Sequence, residues 1–328
     1  MNPLRIVVIG ASEGGIAALR ALVAGLPADL PAAVLVVLHI GANNSALASI
    51  LDRSGPLPAV DPADGETILA GRIYVAPADH HMIVEDGAIR LTKGPRENFA
   101  RPSIDPLFRS AAEAYGASVI GVILTGGLND GTAGLYEIKR RGGTAIVQDP
   151  DEAANPGMPG SAMRHVAIDH CAPVAMIPRL IAQAVADLGA PAELSPQTPS
   201  EGLEQEMTAE FTEDRPVAIT CPDCGGALRQ SQLGTLKQFR CHIGHIYTAE
   251  VMIHGQFIAM QQSVEAALRS MNERAELCRQ MAEQAGQDSA SAAEWRQAGD
   301  EARDQTDRLR DVLDHVWIQP ATGAMASP

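Results

Sequence analysis

Three side chains that could cooperate in nucleophilic catalysis follow three apolar segments of the sequence. Ser12 follows RIVVIGA, His39 follows AAVLVVL, and Asp130 lies just beyond SVIGVILTG. A serine hydroxyl needs an imidazole to take its proton, and the imidazole needs a carboxylate to fix its tautomer and stabilise its charged form. Because groups at the carboxyl ends of neighbouring parallel strands converge on one crevice, the three would meet there. The sequence therefore predicts Ser12 as nucleophile, His39 as general base and then acid, and Asp130 as the orienting carboxylate.

The glycine-rich turn over residues 10–15 also resembles the start of a phosphate-binding loop. A dinucleotide site requires G-x-G-x-x-G and an acidic residue at the end of the second strand. Here Ser12 replaces the second glycine, His39 replaces the acidic residue, and no Gly-Lys-Ser/Thr follows for a P-loop. Taken singly, Ser12 could merely tolerate a tight turn, His39 could be a core histidine, and Asp130 could cap a helix. Their joint placement favours the catalytic interpretation.

The elements that must position these residues alternate along the first 185 residues. RIVVIG, AAVLVVLHI, SVIGVILTG and GTAIVQ are typical of buried parallel strands, and helical segments separate them. Two extended runs around Asp86 and Gly87 predict a β-hairpin. We therefore expect an α/β fold, a doubly wound and mostly parallel sheet with one hairpin, followed by a small zinc-ribbon-like module and an α-helical hairpin.

Changes in composition divide the chain into four predicted segments. An α/β catalytic domain would span 1–189, and an acidic, proline-containing flexible linker would span 190–216. A compact cysteine-containing module would follow over 217–248, and a helical hairpin over 249–320. The hairpin is a candidate surface for a homodimer or for docking.

The bulk composition excludes some classes of partner. The 328 residues carry a formal net charge of −15 and a pI near 5.0, which argues against nucleic acid and anionic membranes. The sequence shows neither a basic-then-apolar signal peptide nor an apolar run long enough to span a bilayer. Five cysteines, three of them within 21 residues, are typical of a metal site in a reducing compartment. We expect a cytoplasmic protein without direct membrane insertion.

The clustered cysteines have the spacing of a metal site. Cys221 and Cys224 are two residues apart, and sixteen residues later come Cys241 and His245. A hairpin that returns Cys241 and His245 to the Cys-x-x-Cys turn would give a tetrahedral Cys₃His zinc site, in which His242 could replace His245. The zinc would be structural and would supply much of the folding energy of so small a module. No cofactor is expected for catalysis.

Residues 4 to about 185 resemble the catalytic domain of the chemotaxis protein-glutamate methylesterases of the CheB type. The segments VIGASEGG, LPADLPAAVLVVLHI, DGETILAGRIYVAPADHHM, RPSIDPLFRSAA, GVILTGGLNDGTAGL and GMPGSAM follow in family order and spacing. The resemblance implies hydrolysis of γ-glutamyl methyl esters on methylated chemoreceptors or similar helical signalling proteins, with deamidation of certain glutamines. By matching motif it assigns Ser12, His39 and Asp130 the roles given above.

Two departures from the family pattern lie in the expected oxyanion region. Backbone amides of Glu13 and Gly127 are the candidate oxyanion donors. The family usually has threonine where Glu13 stands and Met-Gly where Gly127 and Leu128 stand. A carboxylate beside an oxyanion is unfavourable unless it points to solvent or pairs with a cation such as Arg101. We therefore expect weaker activity or a different substrate.

Further crevice residues are expected from the same resemblance. Arg101, Ser103 and Asp105 are predicted to shape the site or contact substrate. The Asp-His-His run at 79–81 could suggest a metal site, but its place in the hairpin region favours a crevice wall.

Regulation and the alternative functions also follow from this comparison. Family members often carry an N-terminal receiver domain, and we expect this chain to lack that control, since the resemblance begins near Leu4. The alternatives are a non-catalytic interaction protein that retains the methylesterase fold, or a serine hydrolase with another substrate.

Overall fold

The computed structural model describes residues 4–39, 46–187, 215–286 and 289–315. Its α/β domain contains, in chain order, β1 (Arg5–Ala11), α1 (Gly15–Ala24), β2 (Ala32–Leu38), α2 (Leu47–Asp52), β3 (Ala59–Val60), β4 (Ile73–Val75), β5 (His81–Glu85), β6 (Ala88–Thr92), α3 (Ile104–Tyr115), β7 (Val119–Ile123), α4 (Thr132–Arg140), β8 (Thr144–Gln148), α5 (Gly157–His165), β9 (His170–Ala172) and α6 (Ile177–Asp187).

A seven-stranded parallel sheet in the order β3-β4-β2-β1-β7-β8-β9 organises this domain. The chain moves from β1 to β2 on one side and later returns to place β7 on the other side of β1. The carboxyl end of β1 is therefore the point where the strand order reverses, and open α/β sheets form their crevices there. The predicted doubly wound fold is confirmed, with β5 and β6 forming the separate antiparallel hairpin.

Both faces of the sheet are buried, which explains the continuous apolar runs of its strands. Val7 and Ile9 of β1 lie in one hydrophobic cluster with α1 and α6, whereas Ile6 and Val8 lie in the other with α3 and α4. All four side chains are fully buried. Alternate residues of a strand point to opposite faces, so one short segment anchors both halves of the core.

A small antiparallel sheet follows and forms the module that we call the ribbon. Its strands are β10 (Arg215–Thr220), β11 (Ala227–Leu233), β12 (Leu236–Cys241) and β13 (Ile246–Thr248), paired in that order. The chain divides into two compact units between Met252 and Ile253, and the ribbon belongs to the first unit with the α/β domain. Nearly all of the predicted acidic linker lies outside the described residues, so its flexibility and the four-segment division stay predictions.

The C-terminal unit is a helical hairpin, built from most of α7 (Ala249–Gln284) together with α8 (Ala290–Asp314). Ser289 caps α8, because its side chain accepts a hydrogen bond from the Ala292 amide at 3.0 Å. The sequence pattern predicts one apolar face of Leu309, Val312, Leu313 and Val316. Val316 lies outside the described residues, and none of the other three is buried. The buried positions of α8 are the small residues Ala292, Gly299, Ala302 and Thr306, which allow close packing. Among the described helices, none is long and apolar enough to cross a membrane.

Gly134 of α4 and Gly160 of α5 give a matched test of how closely these two helices pack against their neighbours. A Cβ at Gly134 of α4 would overlap Phe108 of α3 and lie 3.1 Å from the Asp105 carbonyl oxygen. A Cβ at Gly160 of α5 would meet only the flexible end of Arg164, at 3.6 Å. We expect Gly134→Ala to lower the free energy of unfolding in urea by about 1–3 kcal/mol through overpacking. Gly160→Ala, by contrast, should leave it unchanged or raise it by up to about 1 kcal/mol.

An equal effect of the two substitutions would contradict this packing of α3 against α4.

Candidate active site

Ser12, His39 and Asp130 lie together at the carboxyl edge of the sheet. Ser12 follows β1, His39 follows β2, and Asp130 lies in the turn between β7 and α4. The Ser12 amide donates to the Thr125 carbonyl at 2.9 Å, and the His39 amide donates to the Ala11 carbonyl at 3.2 Å. These main-chain bonds extend the sheet pairing beyond its strands and bring three distant parts of the sequence to one place.

Hydrogen bonds join the three side chains in a row. Ser12 Oγ lies 3.2 Å from His39 Nδ1, and His39 Nε2 lies 2.7 Å from Asp130 Oδ2. Because an ionised carboxylate only accepts, Nε2 carries the proton of the neutral ring, and Nδ1 accepts from the serine hydroxyl. The ring orientation is the reverse of that in chymotrypsin-like triads, where Nε2 faces the serine. The arrangement can deprotonate Ser12 and stabilise the resulting imidazolium.

Asp130 is a buried anion surrounded by donors. Ser103 Oγ lies 2.9 Å from both carboxylate oxygens, the Ile104 amide donates to Oδ2 at 2.7 Å, and Asn98 Nδ2 donates to Oδ1 at 2.9 Å. Burial alone would raise the pKa of Asp130, but the hydrogen bond and charge of His39, together with the Ile104 and Asn98 donors, hold it far below its usual range. Since Ile104 opens α3, the helix N-terminus also favours the negative charge.

A second carboxyl group, Asp105, lies beside Asp130, and its pKa shifts in the opposite direction. Asp105 is 1% exposed and accepts from the Gly134 amide at 2.7 Å and from Asn98 Nδ2 at 3.0 Å. Burial, followed by the negative charge of Asp130, raises the pKa of Asp105 well above its ordinary value. Two adjacent buried carboxylates cannot both ionise cheaply, and the better-hydrogen-bonded Asp130 takes the charge. Asn98 therefore bridges two carboxyl groups whose pKa values shift in opposite directions.

The expected oxyanion donors lie on two adjoining turns. Thr125 Oγ1 donates to the Glu13 carbonyl at 2.9 Å, while the Glu13 and Gly127 amides donate to no protein group among the described residues. Gly126 lets the turns approach, because a Cβ there would lie 2.8 Å from the Ser12 Cβ. The Glu13 carboxylate is exposed and accepts from Asn155 Nδ2 at 2.8 Å rather than pairing with Arg101. Of the two arrangements expected to tolerate this charge, exposure to solvent is the one observed.

The predicted substrate-contacting residues divide into two groups. Arg101 lines a cavity of about 410 Å³ beside His39, but its guanidinium binds Asp79 at 2.6 Å and the Gly94 carbonyl at 2.9 Å. Ser103 is fully buried and Asp105 nearly so. Both side chains lie beneath the triad, with hydrogen bonds from Ser103 to Asp130 and from Asn98 to Asp105. Of the two predicted tasks, these buried positions agree with shaping the site rather than with contacting substrate.

The histidines of the hairpin region are structural. His81 is 3% exposed, lies 3.0 Å from the Pro95 carbonyl through Nε2, and accepts from the Ser103 amide at 3.3 Å through Nδ1. Burial lowers the pKa of His81, which favours the neutral ring. His80 contacts the Ala78 carbonyl at 2.9 Å. These contacts agree with a crevice wall.

Asn98 and Thr125 are site residues that the sequence did not reveal. Thr125 joins the Ser12 turn to the loop before α5, accepting from the Asn155 amide at 2.9 Å. Asn98 lies in a loop with no periodic pattern and contacts carboxylates 7 and 32 positions away. Neither a lone asparagine in a loop nor a lone threonine carries a spacing signal, so only the tertiary contacts identify Asn98 and Thr125.

The ribbon brings together Cys221, Cys224, Cys241 and His245, whose ligand atoms all lie within 4.8 Å of one another. A tetrahedral zinc with bonds of about 2.3 Å to sulfur and 2.0 Å to nitrogen needs ligand atoms about 3.5–3.8 Å apart. Cys224 Sγ and Cys241 Sγ are 3.7 Å apart, and His245 Nδ1 lies 3.6 Å from Cys221 Sγ and 3.4 Å from Cys241 Sγ. These four side chains could hold a metal ion, and His242 is not among them.

Comparisons with known proteins agree with this geometry. The family model for CheB methylesterase matches residues 7–181, and the chain belongs to the CheB methylesterase family. The crystal structure of the Thermotoga maritima CheB methylesterase catalytic domain superposes with a TM-score of 0.53 at 35% identity, covering 55% of this chain and 98% of that one.

Two relatives bear the name protein-glutamate methylesterase/protein-glutamine glutaminase. One from Anaeromyxobacter dehalogenans is 41% identical over 54% of this chain and 52% of its own length. A putative one from Leptospira interrogans is 40% identical over 50% of this chain and 86% of its own length. The chain thus spans about half the length of the first relative and most of the second.

The raised pKa of Asp105 predicts a pH dependence of stability. Above its ordinary pKa of 3.8, Asp105 ionises in the unfolded chain before it ionises in the folded chain, so its contribution to stability falls as the pH rises. One such group contributes a slope of up to about 1.4 kcal/mol per pH unit. Asp105→Asn lacks this slope, so its free energy of unfolding should rise relative to wild type from about pH 4 upward.

Urea denaturation at several pH values between about 4 and 8 measures the difference. Any pH-independent cost of placing an amide against Asn98 shifts the whole curve without changing its slope. The exposed Asp29→Asn serves as the control and should show no such trend. A flat difference for Asp105→Asn would mean that Asp105 is ionised in the folded chain.

Proposed function

We propose that the chain is a serine esterase that hydrolyses γ-methyl esters of glutamate on methylated chemoreceptors or similar helical signalling proteins, and deamidates glutamines by the same chemistry. The observation that carries the proposal is the hydrogen-bonded row Ser12–His39–Asp130 at the switch point of the sheet. Membership of the CheB methylesterase family, and the names of the relatives, supply the substrate class.

The proposed reaction is acyl transfer in two steps. Ser12 Oγ attacks the ester carbonyl carbon while its proton moves to His39 Nδ1, and this proton then leaves with methanol. Water, deprotonated by the same nitrogen, attacks the glutamyl-enzyme and releases glutamate and Ser12. With a glutamine side chain the leaving group is ammonia. Asp130 stays ionised throughout and stabilises the imidazolium.

Oxyanion stabilisation is assigned to the Glu13 and Gly127 amides. Both belong to turns that meet at Ser12, and their N–H groups make no other protein hydrogen bond within the described part of the chain. Removing one such donor typically costs about 10²–10³ in kcat.

The metal site of the ribbon is proposed to hold structural zinc. Three cysteines and a histidine supply all four tetrahedral positions, as in closed structural sites. Zinc thiolates need reduced cysteines, so a cytoplasmic location belongs to the same proposal. Homodimerisation through the C-terminal helices stays a prediction.

Methanol release from a methylated chemoreceptor cytoplasmic domain tests the esterase. Ser12→Ala should abolish release, and Asp130→Asn should lower kcat by about 10⁴, since the imidazole loses its orienting charge. Ser49→Ala, an exposed serine elsewhere, should behave as wild type. Release that survives Ser12→Ala would exclude the serine mechanism.

The same assay addresses the departure from the family at Glu13. We expect Glu13→Thr to increase turnover by a few-fold, because a solvent-screened carboxylate near the oxyanion costs less than about 1 kcal/mol. Unchanged turnover would show that solvent and Asn155 already neutralise its influence.

Two neighbouring histidines provide a matched test of the metal site. His245→Ala should reduce the zinc content of the purified chain and lower the unfolding temperature of the ribbon, because the metal loses one of four ligands. His242→Ala should retain about one zinc per chain. Elemental analysis measures the content, and equal retention by both variants would remove His245 from the ligand set.

A further inference from the structure

The loop that carries Asn98 is held from two sides. Toward the α/β domain, Asn98 Nδ2 donates to Asp130 Oδ1 at 2.9 Å and to Asp105 Oδ2 at 3.0 Å. Toward the ribbon, the Asn98 amide donates to the Ile246 carbonyl at 2.8 Å, and Asn98 Oδ1 accepts from the Thr248 amide at 3.2 Å. The same side chain therefore links strand β13 of the ribbon to the proposed catalytic carboxylate.

Strand β13 also holds Asn129, the residue that directly precedes Asp130 in the chain. Thr248 Oγ1 donates to Asn129 Oδ1 at 2.7 Å, and Asn129 Nδ2 donates to Glu250 Oε2 at 2.7 Å. Asn129 is 1% exposed and directly precedes Asp130 in the chain. The ribbon and the first turn of α7 thus fix the turn from which Asp130 projects.

Three residues at this contact have backbone conformations that side chains disfavour. Asn98, Phe99 and Leu128 have φ values of 51°, 62° and 61°. Such conformations persist only where the surroundings over-determine them. The Phe99 and Tyr247 rings lie 4.8 Å apart, and both Phe99 and Leu128 pack against the hydrophobic cluster of the ribbon. The ribbon supplies the contacts that hold these loops.

The metal ligands lie next to the contacting strand. His245 directly precedes β13, and Cys241 ends β12, the strand of the ribbon that pairs with β13. The Cys241 amide donates to the His245 carbonyl at 3.1 Å and closes the turn between them. A three-residue edge strand has little stability of its own, so a metal ion at its start would determine its position.

We propose that the ribbon is a metal-dependent positioning element for the catalytic carboxylate. A metal ion bound by Cys221, Cys224, Cys241 and His245 fixes β13, and β13 holds Asn98 and Asn129, which in turn hold Asp130 against His39. Asn98 is a positioning residue, and the metal ion acts on activity only through this contact. The inference rests on the proposed esterase function.

The test compares the full chain with and without zinc, in wild type and in Asn98→Ala. We expect chelation to lower wild-type kcat for methanol release from the methylated receptor domain by about ten- to a hundredfold, with KM unchanged, since small misplacements of catalytic groups have effects of this size. Asn98→Ala should lose a similar factor. Chelation of Asn98→Ala should then cost little more, because two changes in one pathway are not additive.

A spectroscopic measurement accompanies the kinetics. In wild type, the proton resonance of the His39 Nε2–H···Asp130 hydrogen bond should shift or broaden on chelation, and the amides of Asn98 and Thr248 should exchange faster with solvent. Thr248→Val, which removes the bond to Asn129, should reproduce part of both effects. Lys237→Ala, an exposed ribbon residue, is the matched control and should change neither.

The outcomes separate the two proposals. If chelation leaves kcat and the His39 resonance unchanged, or lowers kcat of Asn98→Ala by the same factor as wild type, the positioning proposal is overturned while the esterase stands. If the zinc-loaded wild type releases no methanol in a Ser12-dependent way, the esterase fails. The resonance and amide exchange then decide whether metal binding still positions Asp130.

Discussion

The negative charge of Asp130 is the interaction on which the rest of the site depends. The carboxylate is almost fully buried, and an isolated charge in that position would protonate rather than remain ionised. Donors from three parts of the chain prevent this: the imidazole after β2, the first turn of α3, and Asn98. Because each donor belongs to a different element, the fold must be complete before Asp130 can orient His39.

Asp105 shows how a second buried carboxyl group responds to the negative charge of Asp130. It lies in the same buried region, at the start of α3, where burial and then the negative charge of Asp130 raise its pKa. Its acceptor oxygens instead bind the Gly134 amide and Asn98, so it ties α3 to α4. Two carboxyl groups of the same type thus have different tasks, which their hydrogen-bond donors assign to them.

The ribbon adds a second sheet to the structure that holds the candidate triad in place. Strand β13 reaches the loop of Asn98 and the turn of Asn129, which makes the conformation of the catalytic carboxylate dependent on a second, separately stabilised sheet. In the proposed esterase, a module with four candidate metal ligands thus supports the site without contributing a reacting group. In the C-terminal hairpin, small residues rather than leucine and valine form the buried seam, so the larger apolar side chains of α8 are left partly or fully exposed.

The sequence by itself determined the parallel sheet, the three candidate triad residues and the three cysteines of the candidate metal site, whereas the choice of His245 over His242 came from the structure. Each of these depends on local signals: continuous apolar runs specify buried strands, strand ends specify the crevice, and a Cys-x-x-Cys turn specifies a thiolate pair. Only the tertiary structure decided which polar residues serve the triad. Ser103 and Asp105 proved to be buried supports, and Asn98 emerged as the bridge. Their tasks follow from contacts across 7 to 150 positions of the chain, which no local pattern encodes.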